Sequence, residues 1–147
     1  MTVESMSTPK EAIIEGKVRH YSVGALIASD GKYLLVERAV PPPGFAGVAG
    51  HVDEGETPDQ ALAREVQEEI SLTITSAELL LEEMVDWNWC SKGVTGHYWY
   101  LYRCAAAGEM KRSFSETKSA GWYSKEEIGN MNLEPVWKHW FERLNII

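Results

Sequence analysis

Several sequence signals mark the start of one helix in this chain, and a helix at this position limits the folds that the flanking segments can form. Thr57 is a favourable N-cap, Pro58 suits the first helical position, and Gln60 is placed to close a capping box. The apolar stripe that follows predicts a helix to about Ile70. Segments rich in β-forming residues lie on both sides of it. We therefore expect an α/β (α+β) domain in which helices cover a mixed sheet.

Strand and turn signals surround this helix. The runs VRHYSVGALIAS (18–29) and KYLLVERAV (32–40) flank Asp30-Gly31, which predicts a β-hairpin. The three prolines and two glycines of PPPGFAG (41–47) predict an exposed loop. The remaining elements that we expect are strands within 71–89 and 97–105, a short strand at Trp122 and Tyr123, a capped helix opening at Ser124 with Glu127, and a last helix from Pro135.

Composition excludes several classes of protein. The 147 residues, 44% of them apolar, suit one globular domain at 17–147 with a flexible N-terminal arm at 1–16. No apolar run approaches the roughly 18 to 20 residues that cross a bilayer, and no targeting signal is recognisable. Cys90 and Cys104 have neither metal-ligand nor disulfide spacing, which favours packing roles in a cytoplasmic protein. The formal charge of -8 disfavours nucleic-acid coating, and an anionic ligand would need a cation between it and the protein.

The predicted helix collects acidic residues. At about 100° per residue, Glu65, Glu68 and Glu69 fall together, opposite a packing stripe. Each like-charged pair at these spacings costs the helix roughly 0.2 to 0.5 kcal/mol, and the dipole of the last turn also disfavours anions. Two interpretations stay open, a solvated acidic face or a site where carboxylate oxygens hold a divalent ion such as Mg²⁺ or Mn²⁺. The residues assigned to the packing stripe are Leu62, Val66 and Ile70, with Ala63 beside them.

The stretch 50–72 resembles the Nudix box of the Nudix hydrolase (MutT-like) family, G-x5-E-x7-R-E-U-x-E-E-x-G-U with U aliphatic. Six of the seven fixed residues and both aliphatic positions match. The departure is Ser71, which stands where the family has glycine, at a helix exit that favours left-handed backbone. A weaker resemblance extends over 18–144 and implies the Nudix fold, a mixed β-sheet sandwiched between helices. The fixed residues that match are Gly50, Glu56, Arg64, Glu65, Glu68 and Glu69.

The resemblance also implies an activity, a Nudix-type pyrophosphohydrolase that uses Mg²⁺ or Mn²⁺. Such an enzyme cleaves the diphosphate linkage of a nucleoside diphosphate joined to another group, NDP-X to NMP and P-X. The implied metal ligands are Glu65, Glu68, Glu69 and the carbonyl of Gly50, and Glu65 would also help to deprotonate water. The expected substrate is therefore a small-molecule nucleotide.

Other candidate residues surround this implied site. Arg64 and Glu56 resemble a pair that orients the carboxylates. Glu116, in the loop before the last strand, is a further ligand or the general base, unless it is only solvated. The candidate substrate contacts are Arg38 for phosphate, unless it pairs with Glu37, and Trp87 or Trp89 for the rest of the nucleotide. Since a metal mechanism needs no histidine, we interpret His51 and His97 as structural.

Two classes of function stay open. The first is the hydrolase, which the intact Arg64, Glu65, Glu68 and Glu69 favour. The second is a catalytically inactive nucleotide-binding or regulatory module with the same fold. The substrate also stays open among nucleoside triphosphates, ADP-ribose, nucleotide sugars, dinucleoside polyphosphates and a capped RNA end, because specificity depends on loops. A homodimer, common among relatives, is left open too.

Overall fold

The structure is a computed structural model that describes residues 11–14, 17–88 and 96–147. None of the helices in these ranges is long and apolar enough to cross a membrane. The elements, in chain order, are β1 (Glu11–Ile14), β2 (Lys17–Ser29), β3 (Lys32–Arg38), β4 (Phe45–Ala46), β5 (Val48–His51), α1 (Pro58–Ile70), β6 (Thr73–Val85), β7 (His97–Ala107), β8 (Thr117–Ser124), α2 (Lys125–Gly129) and α3 (Pro135–Arg143).

The long strand β2 organises the sheet. It pairs with β7 in parallel and with β1 and β5 in antiparallel, and it continues into β3 through a two-residue turn. Asp30 and Gly31 have φ of 51° and 75°, which confirms the predicted hairpin and explains the Asp-Gly pair. Beyond these strands, β6 pairs with β7, while β4 and β8 pair with β3. The sheet is therefore mixed, as expected.

Helices cover both faces of this sheet. Because side chains alternate along a strand, Val23 and Ala25 of β2 face α1, whereas Leu26 faces α3. The α3 side holds Trp137 and Trp140, both fully buried. The predicted arrangement, a mixed sheet between helices, is confirmed.

Helix α1 begins and ends as its sequence predicts, but its buried side is wider than expected. Thr57 accepts a hydrogen bond from the Gln60 backbone and the capping box is complete. The assignment of Ala63 to the packing stripe was wrong, because Ala63 is exposed and Ala61 is buried instead. At about 100° per residue, Glu69 lies between Ala61 and Leu62 in projection. The three glutamates therefore do not share one solvated face, since Glu69 is directed towards the sheet.

Two other predictions need correction. The segment PPPGFAG is not simply an exposed loop, since Phe45–Ala46 form β4 and Ala46 is fully buried. Phe45 exchanges backbone hydrogen bonds with Asn132 and Glu134, at 2.8 and 2.9 Å, which draws the segment against the start of α3. The last strand covers Thr117–Ser124 rather than two residues, because it pairs along the whole length of β3.

Part of the proposed N-terminal arm is strand. Residues 11–14 pair with 17–20 of β2 in antiparallel register. Residues 1–10 and 15–16 lie outside the described residues. The division into an arm at 1–16 and a domain at 17–147 therefore stays a prediction.

Candidate active site

A cleft of about 270 Å³ lies between α1, β5 and the loops that precede β8 and α3. It contains five residues selected from the sequence, although these come from four separate parts of the chain. Convergence of distant predicted residues on one surface makes the cleft the candidate site. The five are Arg38, Gly50, Glu65, Glu69 and Glu116.

Gly50 is required by the position of the Glu65 carboxylate. A Cβ atom at position 50 would overlap the Glu65 carboxylate carbon and both of its oxygens. Strand β5 pairs Gly50 with Val23 of β2, so the position of its backbone is set by the sheet. Only glycine therefore lets a side chain from α1 lie directly against this strand.

Glu69 is the most buried acidic residue on α1. It is 7% exposed, and within the described part of the chain its carboxylate forms no hydrogen bond or salt bridge. The pKa of Glu69 is raised to about 8, mainly by burial and also by the charges of Glu65 and Glu116, while Arg38 opposes the shift. Burial likewise raises the pKa of Glu65 to about 7, against the lowering effect of Arg64. The cleft therefore concentrates negative charge that its own cations only partly balance.

Arg64 connects the loop before α1 to the acids of the helix. Its guanidinium donates two hydrogen bonds to Glu56, at 2.7 and 2.9 Å, one to Glu65 at 2.7 Å and one to the His51 carbonyl at 2.9 Å. The hydrogen bonds from Arg64 hold the pKa of Glu56 below its ordinary value. In turn, the carboxylates of Glu56 and Glu65 raise the pKa of Arg64. One planar side chain thus fixes the loop, β5 and Glu65 relative to one another.

The loop carrying Glu116 is tied to the end of α1. The backbone amides of Lys111 and Ser113 donate to the carbonyls of Ile70 and Glu69, at 2.9 and 2.7 Å, which satisfies acceptors left open at the helix end. The Glu116 carbonyl accepts from the Ala39 amide at 2.9 Å, which holds the same loop beside the end of β3. Glu116 is therefore held near Glu69 by backbone contacts on both sides.

Some predicted site residues lie elsewhere. The side chain of Glu68 is 57% exposed and contacts Arg64 at 3.3 Å, outside the cleft lining. Trp87 is 51% exposed and lies edge-on to His139, also outside the lining, so this geometry gives no support to a substrate contact there. Trp89 lies outside the described residues. Arg38 does line the cleft, and it bonds the Pro42 carbonyl at 2.7 Å.

Glu134, His51 and His97 line the cleft but were not assigned to the site from the sequence. Glu134, the N-cap residue of α3, is 4% exposed, and burial raises its pKa to about 7, opposed by Arg38. His51 and His97, interpreted as structural, line the cleft with their Nε2 atoms 3.2 Å apart. No local pattern identifies these residues, because β5 and β7 meet only through their common neighbour β2. The two histidines could have been placed together only by predicting correctly how β5 and β7 pair with β2.

Comparison with known proteins agrees with this geometry. A family model described as NUDIX domain matches residues 18–144, which include every cleft residue named above. The chain belongs to the Nudix family. It is a Nudix-type pyrophosphohydrolase, a hydrolase that acts on pyrophosphate bonds of nucleoside diphosphate derivatives.

Individual relatives of this Nudix protein are distant. The uncharacterized Nudix hydrolase orf19 of Rhodococcus erythropolis is 28% identical over 141 residues, covering 88% of this chain and 76% of that protein. The nucleoside triphosphatase NudI of Escherichia coli is 28% identical over 123 residues, covering 74% of this chain and 84% of NudI. A solved NUDIX hydrolase from Nitrosomonas europaea has a TM-score of 0.71 at 26% identity, covering 86% and 88% of the two chains. These similarities confirm the fold and the family.

Proposed function

We propose that this Nudix protein is a divalent-metal-dependent hydrolase that cleaves NDP-X to NMP and P-X, using Mg²⁺ or Mn²⁺. The observation that carries the proposal is the convergence of Glu65, Glu69 and Glu116 beside Gly50, in a cleft that also contains Arg38. The acids suit a cation, and the arginine suits a phosphate.

The donor set fits a hard divalent ion. The Glu69 side chain is 7% exposed and lines the cleft together with Glu65 and Glu116, and three acidic groups this close together favour a bound cation. Glu65, Glu69 and the Gly50 carbonyl would hold the ion. Glu68 would join them by turning from the helix surface, where its exposed side chain contacts Arg64.

The acids and arginines in and beside the cleft then have separate parts in hydrolysis. A bound divalent ion supplies charge neutralisation for the diphosphate and a more acidic water. Arg38 would bind a phosphate oxygen, and Arg64 with Glu56 would keep Glu65 in place. Water adds to phosphorus, the bond from phosphorus to the bridging oxygen breaks, and a carboxylate accepts the proton of the water. Glu65 and Glu116 are the two candidates for that carboxylate.

Nucleoside triphosphates are the first substrate class to test. NudI, which covers 74% of this chain in the alignment, is named a nucleoside triphosphatase. ADP-ribose, nucleotide sugars, dinucleoside polyphosphates and capped RNA ends remain alternatives, since loops generally vary among homologues and specificity depends on them. A panel that includes all five classes therefore identifies the substrate without assuming it.

The test is product release from this panel with Mg²⁺ and with Mn²⁺. We expect a nucleoside monophosphate from at least one compound, only when metal is present. Glu69→Gln should reduce the rate at least about 100-fold, since it removes a ligand charge. Glu142→Gln, which changes an exposed acid on α3, is the matched control and should retain the rate.

One result distinguishes the alternative function. Nucleotide binding by calorimetry with no product from any compound would indicate the inactive binding or regulatory module and overturn the proposal. Turnover that persists in Glu69→Gln would overturn the assigned metal site.

A further inference from the structure

Three of the four histidines of this sequence meet at one place in the fold. His20 belongs to β2, His51 to β5 and His97 to β7, and β2 lies between the other two strands. One possible ligand atom from each residue lies within 4.8 Å of the others. The ring centroid of His20 lies 4.6 Å from that of His51 and 5.7 Å from that of His97. The cluster is therefore built by strands of the sheet rather than by a loop.

The ring of His97 is oriented by its surroundings. Its Nδ1 lies 2.7 Å from the Asn88 carbonyl oxygen, which can only accept, so Nδ1 carries the proton. In the neutral ring Nε2 then carries the lone pair, and it points at Nε2 of His51. Asn88 is itself fixed, since its side chain accepts a hydrogen bond from Trp99 at 2.9 Å. A backbone carbonyl that fixes the far nitrogen of a histidine is one of the common outer partners of a metal-binding imidazole.

The spacing fits a tetrahedral metal ion. Zinc-to-nitrogen bonds of about 2.0 to 2.1 Å place neighbouring ligand nitrogens about 3.3 to 3.4 Å apart. The Nε2 atoms of His51 and His97 are already 3.2 Å apart. The other distances between possible ligand atoms of the three histidines are at most 4.8 Å. A shift of the rings by about 1 Å would reduce them to the distance that zinc requires.

We propose that His20, His51 and His97 bind a divalent cation of the zinc class. Three imidazoles suit zinc, cobalt, nickel or copper, whereas magnesium prefers oxygen ligands and octahedral geometry. Three protein ligands leave a fourth position, and it faces the cleft because His51 and His97 line it.

This site differs in its donor atoms from the carboxylate site of the proposed function. The proposal does not rest on hydrolysis, so its test measures metal binding alone. Metal-free protein is titrated with Zn²⁺ by calorimetry in excess Mg²⁺, and with Co²⁺ by visible absorption. We expect one Zn²⁺ per chain and the d–d bands of tetrahedral Co²⁺.

Substitutions locate the ion. His20→Gln and His97→Gln should each weaken Zn²⁺ binding at least about tenfold, the effect that loss of even an outer partner has. His139→Gln is the matched control, because the fourth histidine lies 2.6 Å from Glu83 and outside the cluster. It should retain both the Zn²⁺ affinity and the Co²⁺ spectrum. Glu69→Gln should retain them as well.

Circular dichroism and thermal melting without metal verify that each variant is folded. Since His20 and His97 are buried, His51→Gln at a half-buried position replaces any variant that unfolds. The proposal is overturned if wild-type protein binds no Zn²⁺, if all three histidine variants bind it unchanged, or if Glu69→Gln alone abolishes binding.

Discussion

At the residue scale, Gly50 and Arg64 determine how the acids of the cleft are held. Glycine at position 50 is the only residue that leaves space for the Glu65 carboxylate against β5. Arg64 then holds that carboxylate from the other side while it also binds Glu56 and the His51 carbonyl. Both residues were identified from the sequence. How close they come to each other could not be predicted, because it depends on how β5, which carries Gly50, packs against α1, which carries Arg64.

Arg64→Lys tests this arrangement. A lysine presents one ammonium group and cannot keep a paired contact with Glu56 together with bonds to Glu65 and His51. We expect the magnesium affinity or the hydrolysis rate to fall roughly 10- to 100-fold, as for other groups that orient metal ligands. Arg103→Lys, at an exposed position of β7, should leave both quantities unchanged. An unaltered magnesium dependence in Arg64→Lys would show that the network does not position the acids.

At the element scale, helix α1 shows what the sequence could predict and what it could not. Its start is encoded locally by the capping box at Thr57, and it ends at Ser71, whose backbone is left-handed with φ of 61°. Which side it buries depends on its neighbours. Packing against β5 widens the buried side towards Ala61 and includes Glu69, whereas Ala63 is left exposed.

The histidines illustrate the same limit more strongly. His51 and His97 are 46 residues apart in the chain, and their contact exists only because β5 and β7 both pair near one end of β2. The fixed residues of the Nudix box could be predicted because the family pattern specifies each of them by its position in the sequence. Contacts between strands were not, because a shift of one residue in register would turn each side chain to the other face.

Ser71→Gly tests the helix exit. Serine in left-handed backbone is strained relative to glycine, so the substitution should raise the free energy of unfolding by up to about 1 kcal/mol. Urea unfolding measures the change. Asn130→Gly, at the C-cap of α2 with φ of -108°, lacks that strain and should not stabilise the protein. Equal stabilisation by both variants would contradict the explanation.

At the scale of the whole molecule, the cleft links stability to pH and to metal. Burial raises the pKa of Glu65 and Glu134 to about 7 and that of Glu69 to about 8, so the folded chain favours their neutral forms. The resulting stabilisation is complete below the ordinary pKa of 4.5 and is lost as pH rises through these folded-state values. Glu56, with its lowered pKa, has the opposite effect but only at lower pH.

Unfolding of the metal-free protein measures this link. In EDTA, we expect the free energy of unfolding to fall by about 1 to 3 kcal/mol between pH 5 and pH 8. Glu69→Gln, which cannot ionise, should show a smaller fall. Added Mg²⁺ should restore stability at pH 8, because it compensates the ionised carboxylates. A metal-free stability that increases over this range would contradict the assigned burial of the acids.

The most direct test of the central claim is the position of the metal itself. Anomalous diffraction from crystals of this protein soaked in Mn²⁺ would locate it. We predict a peak in the cleft between the carboxylates of Glu65 and Glu69 and the carbonyl oxygen of Gly50, with Glu68 turned towards it. Crystals that diffract well but show those carboxylates in solvent, with no manganese beside Gly50, would contradict the account.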